Sequence, residues 1–423
     1  EGGFFPYSTT ADWSVPHFEK MLYDNALLIS TLSEAYQITK EDQYKEAIAH
    51  TLAFIERELL DSSGGFYAAL DADSEGEEGK YYVWQKEEVA DILGGDTDVY
   101  CDFYNVSPNG NWEGKNILRI LEPLPVFAAN RQYKIEDLKA LLDTCNKKLL
   151  AEREKRIRPA LDDKIILGWN ALMNTAFSKA YAATGIEQYK ERAISNMRFI
   201  LKAFPDDEGH LRHTWKNNIA KYPAFLDDYA YLIQALLHLH RITADTSYLT
   251  KAKTFCEEVI KDFSEPDGYF YYTPENQEDV IVRKKEVYDG ATPSGNSIMA
   301  QNLMELGLLF DNADWKERSF KMINGLSTVA VKYPTSFGVW LSALYQQITG
   351  TKEIVLMGDY ENALKELLQH PIPHSIVMAA EKEDANFPLL KDKSSDEPLA
   401  IFLCENYACR KPVHSLAELF ATI

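Results

Sequence analysis

The chain has 423 residues, of which 46% are hydrophobic and 12% aromatic, and it carries a formal net charge of −21. This composition is sufficient for a large core in one or two domains, because chains of this length bury most of their apolar surface. The negative charge excludes a nucleic acid or an anionic membrane as the main partner, since phosphate binding requires clustered lysine and arginine.

Cysteine usage and hydropathy bear on the compartment. The five cysteines are few, odd in number and scattered, which is typical of a reducing compartment, and Cys404 and Cys409 have no second pair at zinc spacing. No apolar run reaches the length of a membrane span, and no signal peptide is present. We therefore expect a cytoplasmic protein without a metal or other cofactor. Because the sequence begins at Glu1 rather than at a methionine, we expect it to be part of a longer protein.

The first predicted helix, at residues 16–37, is apolar on both sides, which indicates a helix that is buried on both sides. His17 and Asp24 fall on one stripe of this helix, two turns apart. Two interpretations of such buried ionisable groups stay open. They are either a structural pair satisfied by neighbouring groups or part of the wall of a functional pocket.

Helical periodicity recurs in pairs along the chain. In each pair the first helix is apolar nearly all round, and the second is amphipathic and charged. The pairs are predicted at 16–37 and 42–60, 166–183 and 187–203, 223–242 and 246–263, and 294–310 and 315–331, with a last apolar helix at 334–348. Units that cannot bury their own apolar faces must stack. The repeat therefore predicts an all-α toroid, with an inner and an outer ring of helices.

Short glycine-containing segments, most of them rich in aromatic residues, precede or separate these pairs, at residues 2–5, 64–67, 209–211 and 268–272. Each predicts a turn into a short strand on one rim of the toroid. One hairpin is predicted to pair 66–70 with 80–84, with Asp71 and Asp73 at its acidic tip above a pocket. Residues 71–76 also match the opening of a calcium loop. The twelfth position is Tyr82 instead of the required glutamate, which makes calcium the weaker interpretation.

Two regions depart from the repeat. Short helices are predicted at 87–93 and 99–104, a loop and strand at 110–120, and a longer helix at 135–151. After residue 351, apolar runs at 354–357, 375–378 and 400–403 predict buried strands, and 361–370 and 415–420 predict helices. We therefore divide the chain into a toroid at 1–350 and a small C-terminal α/β lobe at 351–423.

Five segments resemble the spermatogenesis-associated protein 20-like family, and together they extend over essentially the whole chain. They are GGFFPYSTTADWSVPHFEKMLYDNALL at 2–28, LDDKIILGWNAL at 161–172, LDDYAYL at 226–232, YDGATPSGNS at 288–297 and CENYACRKPV at 404–413. The resemblance implies a thioredoxin-like domain earlier in the parent protein and a first helical pair that this chain lacks. It also implies an (α/α)6 toroid similar to N-acylglucosamine 2-epimerases and six-hairpin glycosidases, with a sugar-sized axial pocket. One fold hosts many chemistries, so the resemblance does not define a reaction.

Polar groups cluster near the starts of the apolar helices. If the inner helices run parallel, these groups meet at one mouth, where helix N-termini favour oxygen-rich or anionic ligands. The catalytic candidates are His17, Asp24, Asp228 and Asp289. The candidates for substrate contact are Trp13, Asp71, Asp73, Trp169, Asn170, Asp227, Tyr231, Ser294 and Asn296. As structural alternatives, Ser294 and Asp227 are suited to be N-caps, and the aromatic rings to be core residues.

Two chemistries suit such a site. Epimerisation beside a sugar carbonyl requires a base and an acid. His17 would take one of these roles, and Asp24, Asp228 and Asp289 would orient it or bind hydroxyls. Glycoside hydrolysis requires two carboxyl groups in different protonation states. Together with the resemblance, which implies a sugar-sized axial pocket, this leads us to expect a carbohydrate-active enzyme similar to sugar isomerases or epimerases. The alternatives are a glycosidase, or a non-catalytic module that binds a small ligand for the thioredoxin-like domain.

Overall fold

A computed structural model describes residues 2–275, 277, 280–394 and 397–423. Its helices are α1 (Leu22–Thr39), α2 (Asp42–Glu58), α3 (Lys86–Leu93), α4 (Thr97–Phe103), α5 (Leu124–Asn130), α6 (Ile135–Arg153), α7 (Leu167–Thr184), α8 (Glu187–Ala203), α9 (Leu226–Thr243), α10 (Ser247–Phe263), α11 (Gly295–Leu309), α12 (Ala313–Lys332), α13 (Gly338–Thr349), α14 (Glu361–Leu368) and α15 (Leu416–Phe420). Its strands are β1 (Lys20–Met21), β2 (Ala69–Leu70), β3 (Asp73–Ser74), β4 (Glu77–Glu78), β5 (Leu161–Asp162), β6 (Ile165–Ile166), β7 (Arg212–Lys216), β8 (Ile219–Pro223), β9 (Lys352–Gly358), β10 (Ser375–Ala380), β11 (Leu399–Glu405) and β12 (Ala408–Cys409).

The helices form two rings, as predicted. The inner helices α1, α7, α9, α11 and α13 pack on one another in that order, and α2, α8, α10 and α12 each pack outside the inner helix that precedes them. Most residues of α7 and α9 are buried, whereas α8 and α10 bury a single stripe. This is the inner-and-outer architecture of an (α/α)6 toroid. In the part of the chain that the structure describes, α13 and α1 are not in extensive contact, and Ile38 and Ile348 are exposed on them.

The three chain returns that follow α2, α8 and α10 have the same geometry. The peptide N–H of Gly64 donates to Asp61 O at 3.0 Å, that of Gly209 to Asp206 O at 3.0 Å, and that of Gly268 to Glu265 O at 3.1 Å. All three glycines have positive φ, between 89° and 100°, which residues with a side chain rarely adopt. The predicted turns at 64–67, 209–211 and 268–272 are therefore confirmed.

The first helix begins later than predicted. The backbone N–H of His17 donates to Tyr7 O, and that of Leu22 donates to Ala68 O. Neither N–H group makes a hydrogen bond within a helix, so residues 16–21 are not helical. Residues 20–21 are instead strand β1, paired with β2. His17 therefore does not lie on the helix that carries Asp24, and the prediction of a common stripe is wrong.

The rim hairpins also differ in part from the prediction. Strand β2 pairs with β1 and β5, not with residues 80–84, because the intervening acidic segment closes on itself as the short hairpin of β3 and β4. Strands β6, β7 and β8 form a second antiparallel sheet directly before α7 and α9. Both rim sheets thus lead into the starts of inner helices.

A helical insertion and a lobe complete the fold. Helices α3 to α6 surround a separate apolar cluster that contains Tyr100, Phe127 and Leu149. In the lobe, β9 and β10 are parallel and joined through α14, β11 is antiparallel to β9, and the strand order is β10-β9-β11-β12. The predicted strands and helices of the lobe are present.

One feature of the lobe departs from the expectation of free thiols. The hairpin of β11 and β12 places Cys404 opposite Cys409, and the two are joined in a disulfide. The four residues between them make the tight turn that brings the two side chains together. Elsewhere, none of the helices in the described residues has the length and apolar character that a membrane span requires.

Candidate functional site

Two consecutive acids at the start of α9 bind the starts of both neighbouring inner helices. Asp228 Oδ1 accepts the N–H of Gly168 in the first turn of α7 at 2.8 Å. Asp227 Oδ1 accepts the N–H of Gly295 at the start of α11, also at 2.8 Å. The first N–H groups of a helix have no intrahelical partner and carry a partial positive charge, so a carboxylate stabilises them.

Asp289 performs the same role for the next helix. Its Oδ2 accepts the N–H of Val339 in the first turn of α13 at 2.9 Å. Its Oδ1 accepts the N–H of Ser294 at 3.0 Å and the hydroxyl of Ser297 at 2.7 Å. Ser294 itself caps α11, since its Oγ accepts the N–H of Ser297. The inner helices therefore run parallel, and we call the end of the toroid that holds their starts the N-terminal pole.

Strand β7 places His213 beside Asp228. The Nδ1 of His213 lies 2.7 Å from Asp228 Oδ2, and the same oxygen accepts the N–H of Phe225 at 2.9 Å. Burial lowers the pKa of His213, but the hydrogen bond and charge of Asp228, with the charge of Asp227, outweigh it and raise the pKa above its ordinary value. Because Nδ1 is held by a carboxylate that is 2% exposed, Nε2 is left for proton transfer.

Asp227 has the most strongly raised acid pKa that the structure gives at this pole. Burial and then the negative charge of Asp228 raise the pKa of Asp227 to about 7, against the opposing hydrogen bond from Gly295. Tyr272 lies close enough that burial and both acids raise its pKa as well. Tyr231 is buried beside them and donates its hydroxyl to a backbone carbonyl before α11. Asp227 is therefore partly protonated near neutral pH.

The start of α1 supplies a fourth acidic residue, Asp24, to the pole. Burial, and then the charge of Glu19, raises the pKa of Asp24 to about 6. Within the described residues, Asp24 Oδ2 is buried without a hydrogen-bond partner. The neighbouring Tyr23 packs edge-on against Trp169 of α7, with ring centroids 4.8 Å apart. Asp24 and Asp227 act through different neighbours, so they belong to separate clusters of the same pole.

Three asparagines in the first turns of inner helices hold the glycine-aromatic returns. In each pair the asparagine Oδ1 accepts the phenylalanine N–H and its Nδ2 donates to the phenylalanine carbonyl; the pairs are Asn25 with Phe4, Asn170 with Phe66 and Asn296 with Phe270. All three asparagines are fully buried. The prediction that Asn170 and Asn296 contact substrate is therefore wrong, because these side chains are committed to the backbone.

Four further candidates lie in rim segments, where His17 is partly buried and the other three are exposed. His17 Nδ1 is 2.8 Å from the exposed Glu78, and the ring stacks on Tyr7. Trp13 is 83% exposed in the turn before His17. Asp71 and Asp73 are exposed near the β3–β4 hairpin, where Asp71 Oδ1 accepts the N–H of Asp73. Among the described residues, no cluster of three or more His, Cys, Asp or Glu is placed to hold a metal ion.

The four predicted catalytic residues have different contacts. Asp228 and Asp289 use their oxygens to hold helix starts, and His17 contacts Glu78. Asp24 has a buried oxygen that lacks a hydrogen-bond partner within the described residues. Their catalytic roles stay predictions.

Comparison with known proteins shows relatives along nearly the whole chain. An uncharacterized protein of Caenorhabditis elegans is 32% identical over 459 aligned residues, covering 99% of this chain and 63% of that protein. Spermatogenesis-associated protein 20 is 31% identical in Mus musculus and 30% in Homo sapiens, with 99% of this chain and 59% of those proteins covered. The resemblance to the spermatogenesis-associated protein 20-like family is confirmed. The chain spans about three fifths of these relatives' length, and no protein-family model matches it.

Solved structures with a similar course of the chain are more distant in sequence. A sugar epimerase from a ruminal bacterium has a TM-score of 0.48 at 13% identity, covering 77% of this chain and 65% of its own. Cellobiose 2-epimerase from Bacillus thermoamylovorans has a TM-score of 0.48 at 10% identity, covering 77% and 66%. A family 76 mannosidase from Bacteroides thetaiotaomicron has a TM-score of 0.39 at 13% identity, covering 73% and 58%.

His213 was not among the candidate residues predicted from the sequence. It lies in the short polar strand β7, 15 residues before the acid it contacts. The alternation in β7 gave no sign of which side chain turns inward, because every residue of the strand is partly or fully exposed. The adjacent pair of acids, Asp227 and Asp228, was the one available signal.

Proposed function

We propose that this chain is a carbohydrate-active enzyme that transfers a proton at the carbon next to a sugar carbonyl, as an isomerase or epimerase does. The observation that carries the proposal is the pair formed by His213 and the buried Asp228, 2.7 Å apart, next to Asp227. A histidine oriented by a buried carboxylate, beside an acid that is partly protonated near neutral pH, supplies a base and an acid in one place.

The proposed reaction divides the two roles between two side chains. Nε2 of His213 takes the proton from the carbon next to the carbonyl, and Asp228 stabilises the imidazolium that forms. Asp227, protonated, gives its proton to the carbonyl oxygen, so that the sugar becomes an enediol. Return of the proton from His213 to the neighbouring carbon gives the isomer. Its return to the opposite face of the same carbon, after the enediol turns over, gives the epimer. In both cases the hydroxyl that becomes the carbonyl gives its proton to Asp227, so that both side chains regain their starting states.

The same geometry supports a glycosidase less well. Glycoside hydrolysis requires one carboxyl group as acid and a second carboxylate that acts as nucleophile or activates water. Both oxygens of Asp228 already have partners. Oδ1 accepts the N–H of Gly168, and Oδ2 accepts the N–H of Phe225 and lies beside Nδ1 of His213. It is therefore better placed to orient an imidazole than to attack a sugar.

Proton exchange into the sugar tests this proposal without knowledge of the product. The chain is incubated in D2O with glucose, mannose, fructose and cellobiose, and loss of the C1 or C2 proton signal is followed by NMR. We expect exchange with at least one sugar, a loss of about a hundredfold or more in His213→Gln, and little change in His210→Gln. His210 is the matched control because it lies in the same rim segment and is half-exposed.

Three results would contradict the proposal. The first is binding of sugars without exchange, which favours a non-catalytic module. The second is cleavage of aryl glycosides in place of exchange, which favours a glycosidase. The third is exchange that persists in His213→Gln. The variant His17→Gln belongs in the same series, because His17 is the other candidate base. Thermal unfolding of each variant shows whether a loss reflects chemistry or folding.

The proposal includes a thioredoxin-like domain elsewhere in the parent protein, which the family resemblance supports. It also includes a cytoplasmic location, which the few and scattered cysteines support. The Cys404–Cys409 disulfide weighs against the second, since disulfides are rare in reducing compartments. Thiol alkylation of protein taken directly from cells, followed by mass spectrometry, distinguishes the two cases: a cytoplasmic protein has both thiols labelled.

A further inference from the structure

The toroid contains a polar cavity at the end opposite the N-terminal pole. A cavity of about 450 Å³ lies among the C-terminal halves of the inner helices, and every inner helix contributes to its wall. The lobe covers it with residues 367–377, which Gln37 and Lys40 fasten to α1 by donating to the carbonyls of Leu368 and Gln369, each at 2.6 Å. We call this space the distal cavity.

Charged groups face the distal cavity without being paired to one another. Arg241 of α9 donates to Ser375 of the lobe, and its other N–H groups make no hydrogen bond within the described residues. Glu305 of α11 likewise lies in no hydrogen bond or ion pair among the described residues. Burial raises the pKa of Glu305, against the opposing positive charge of Arg241. Unpaired charges in such surroundings are costly unless a ligand or water satisfies them.

Neutral polar groups line the same wall. Burial holds the pKa of His238 well below its ordinary value, so its ring is neutral at pH 7 and offers one donor and one acceptor. Ser178 Oγ is buried and, within the described residues, has no hydrogen-bond partner. The amides of Gln234 and Gln301 add further donors and acceptors. The remaining charged pair of the wall, Lys179 and Glu34, is mutually satisfied at 2.6 Å.

We propose that the distal cavity binds a small neutral polyhydroxylated molecule, such as a monosaccharide or cyclitol, at a site separate from the N-terminal pole. Hydroxyl groups both donate and accept, so one ligand of this class satisfies the donor-only Arg241, the carboxyl group of Glu305 and the mixed groups of His238 and Gln301. An anion leaves Glu305 unsatisfied, and a cation does the same to Arg241. The volume lies in the range of small-molecule sites.

Titration by NMR, following saturation transfer to the ligand, tests the proposal with D-mannose and myo-inositol as probes. We expect binding of at least one probe. We also expect an affinity loss of about tenfold or more in Glu305→Gln and in Gln301→Leu, because each loses hydrogen bonds to the ligand. Glu361→Gln, an exposed change in α14, is the matched control and should leave affinity unchanged.

His213→Gln separates this proposal from the proposed function. We expect it to leave binding at the distal cavity intact even where it abolishes proton exchange. The inference is overturned if neither polyol binds, if inorganic phosphate or glycine binds in their place, or if affinity falls in His213→Gln and not in Glu305→Gln. Glu305→Gln conserves shape and breaks no hydrogen bond of the protein, so its thermal unfolding should match that of the unaltered chain.

Discussion

The carboxylate of Asp227 occupies the space that a side chain on Gly295 would fill. A β-carbon built on Gly295 would meet Asp227 Oδ1 at 2.4 Å and the backbone N of Asp227 at 3.1 Å. The carboxylate can therefore approach the first N–H of α11 only because residue 295 has no side chain. Gly168 has the corresponding relation to Asp228, whose Oδ1 would lie 3.0 Å from the added carbon. The two glycines let α9 join the helices on both its sides.

Gly295→Ala should destabilise the chain although alanine is the better helix former. The added carbon meets backbone and a carboxylate that is itself bonded, so the start of α11 must shift. We expect a loss of about 2 kcal/mol or more, measured by urea unfolding. Gly95→Ala is the control, because nothing lies within 4 Å of the added carbon there and φ is not positive. Equal stability of the two variants would contradict the close approach.

The paired helices were predictable because their signal is long and periodic. The apolar stretches that became α7, α9 and α11 agree with the predicted ranges to within a few residues, and so do the amphipathic α8, α10 and α12. The polarity of the helix starts was also visible, since Asp227, Asp228, Ser294 and Asn296 all lie at the N-terminal pole. A pattern of burial, repeated four times, is sufficient to define a two-ring architecture.

The function of each polar residue was not predictable in the same way. Asn170 and Asn296 are of a residue type that often contacts ligands, yet their side chains bind the backbone of Phe66 and Phe270. His17 lies on an extended segment, because a two-residue strand replaced the first turns of the predicted helix. These outcomes depend on which backbone groups of distant segments lack partners, which a sequence pattern does not encode.

Asp227→Asn should change how stability depends on pH. The pKa of Asp227 is about 7 in the folded chain and about 4 when unfolded, so the folded state binds the proton more tightly. Stability from this group is therefore present at low pH and lost as pH rises through 7. Asparagine keeps the acceptor for Gly295 and cannot ionise, so the variant should be about 1 to 2 kcal/mol more stable than the original at pH 8.

The same comparison at pH 4 should show little difference, because Asp227 is then protonated in the folded chain. Urea unfolding of both proteins across pH 4 to 8 measures the divergence. Asp207→Asn, an exposed change in the nearby turn, controls for the general effect of removing one negative charge. A divergence of the opposite sign, or an equal gain in the control, would show that burial does not raise the pKa of Asp227.

Asn170→Ala should destabilise the turn at residues 64–67, whose Phe66 backbone Asn170 binds. The change leaves the N–H and carbonyl of Phe66 without their partner, and it opens a gap in the buried first turn of α7. We expect a loss of about 2 to 4 kcal/mol in urea unfolding, and a selective loss of hydrogen-exchange protection at the Phe66 amide. Asn324→Ala, exposed on α12, should stay within about 0.5 kcal/mol. Retained protection of Phe66 would contradict the assignment.

Asp228→Asn should lower both the stability of the chain and the pKa of His213. The two carboxylate oxygens of Asp228 are contacted by the N–H groups of Gly168 and Phe225 and by Nδ1 of His213. An asparagine amide has only one acceptor oxygen, so it cannot replace both carboxylate oxygens. We expect a loss of about 3 kcal/mol, typical of a broken buried pair. The part of this loss due to charge is present below pH 6.5, where His213 is charged in both states, and disappears as pH rises through its raised folded pKa. NMR titration of the His213 ring measures the second effect. A pKa that stays raised in Asp228→Asn would mean that Asp227, not Asp228, sets the proton affinity of the imidazole.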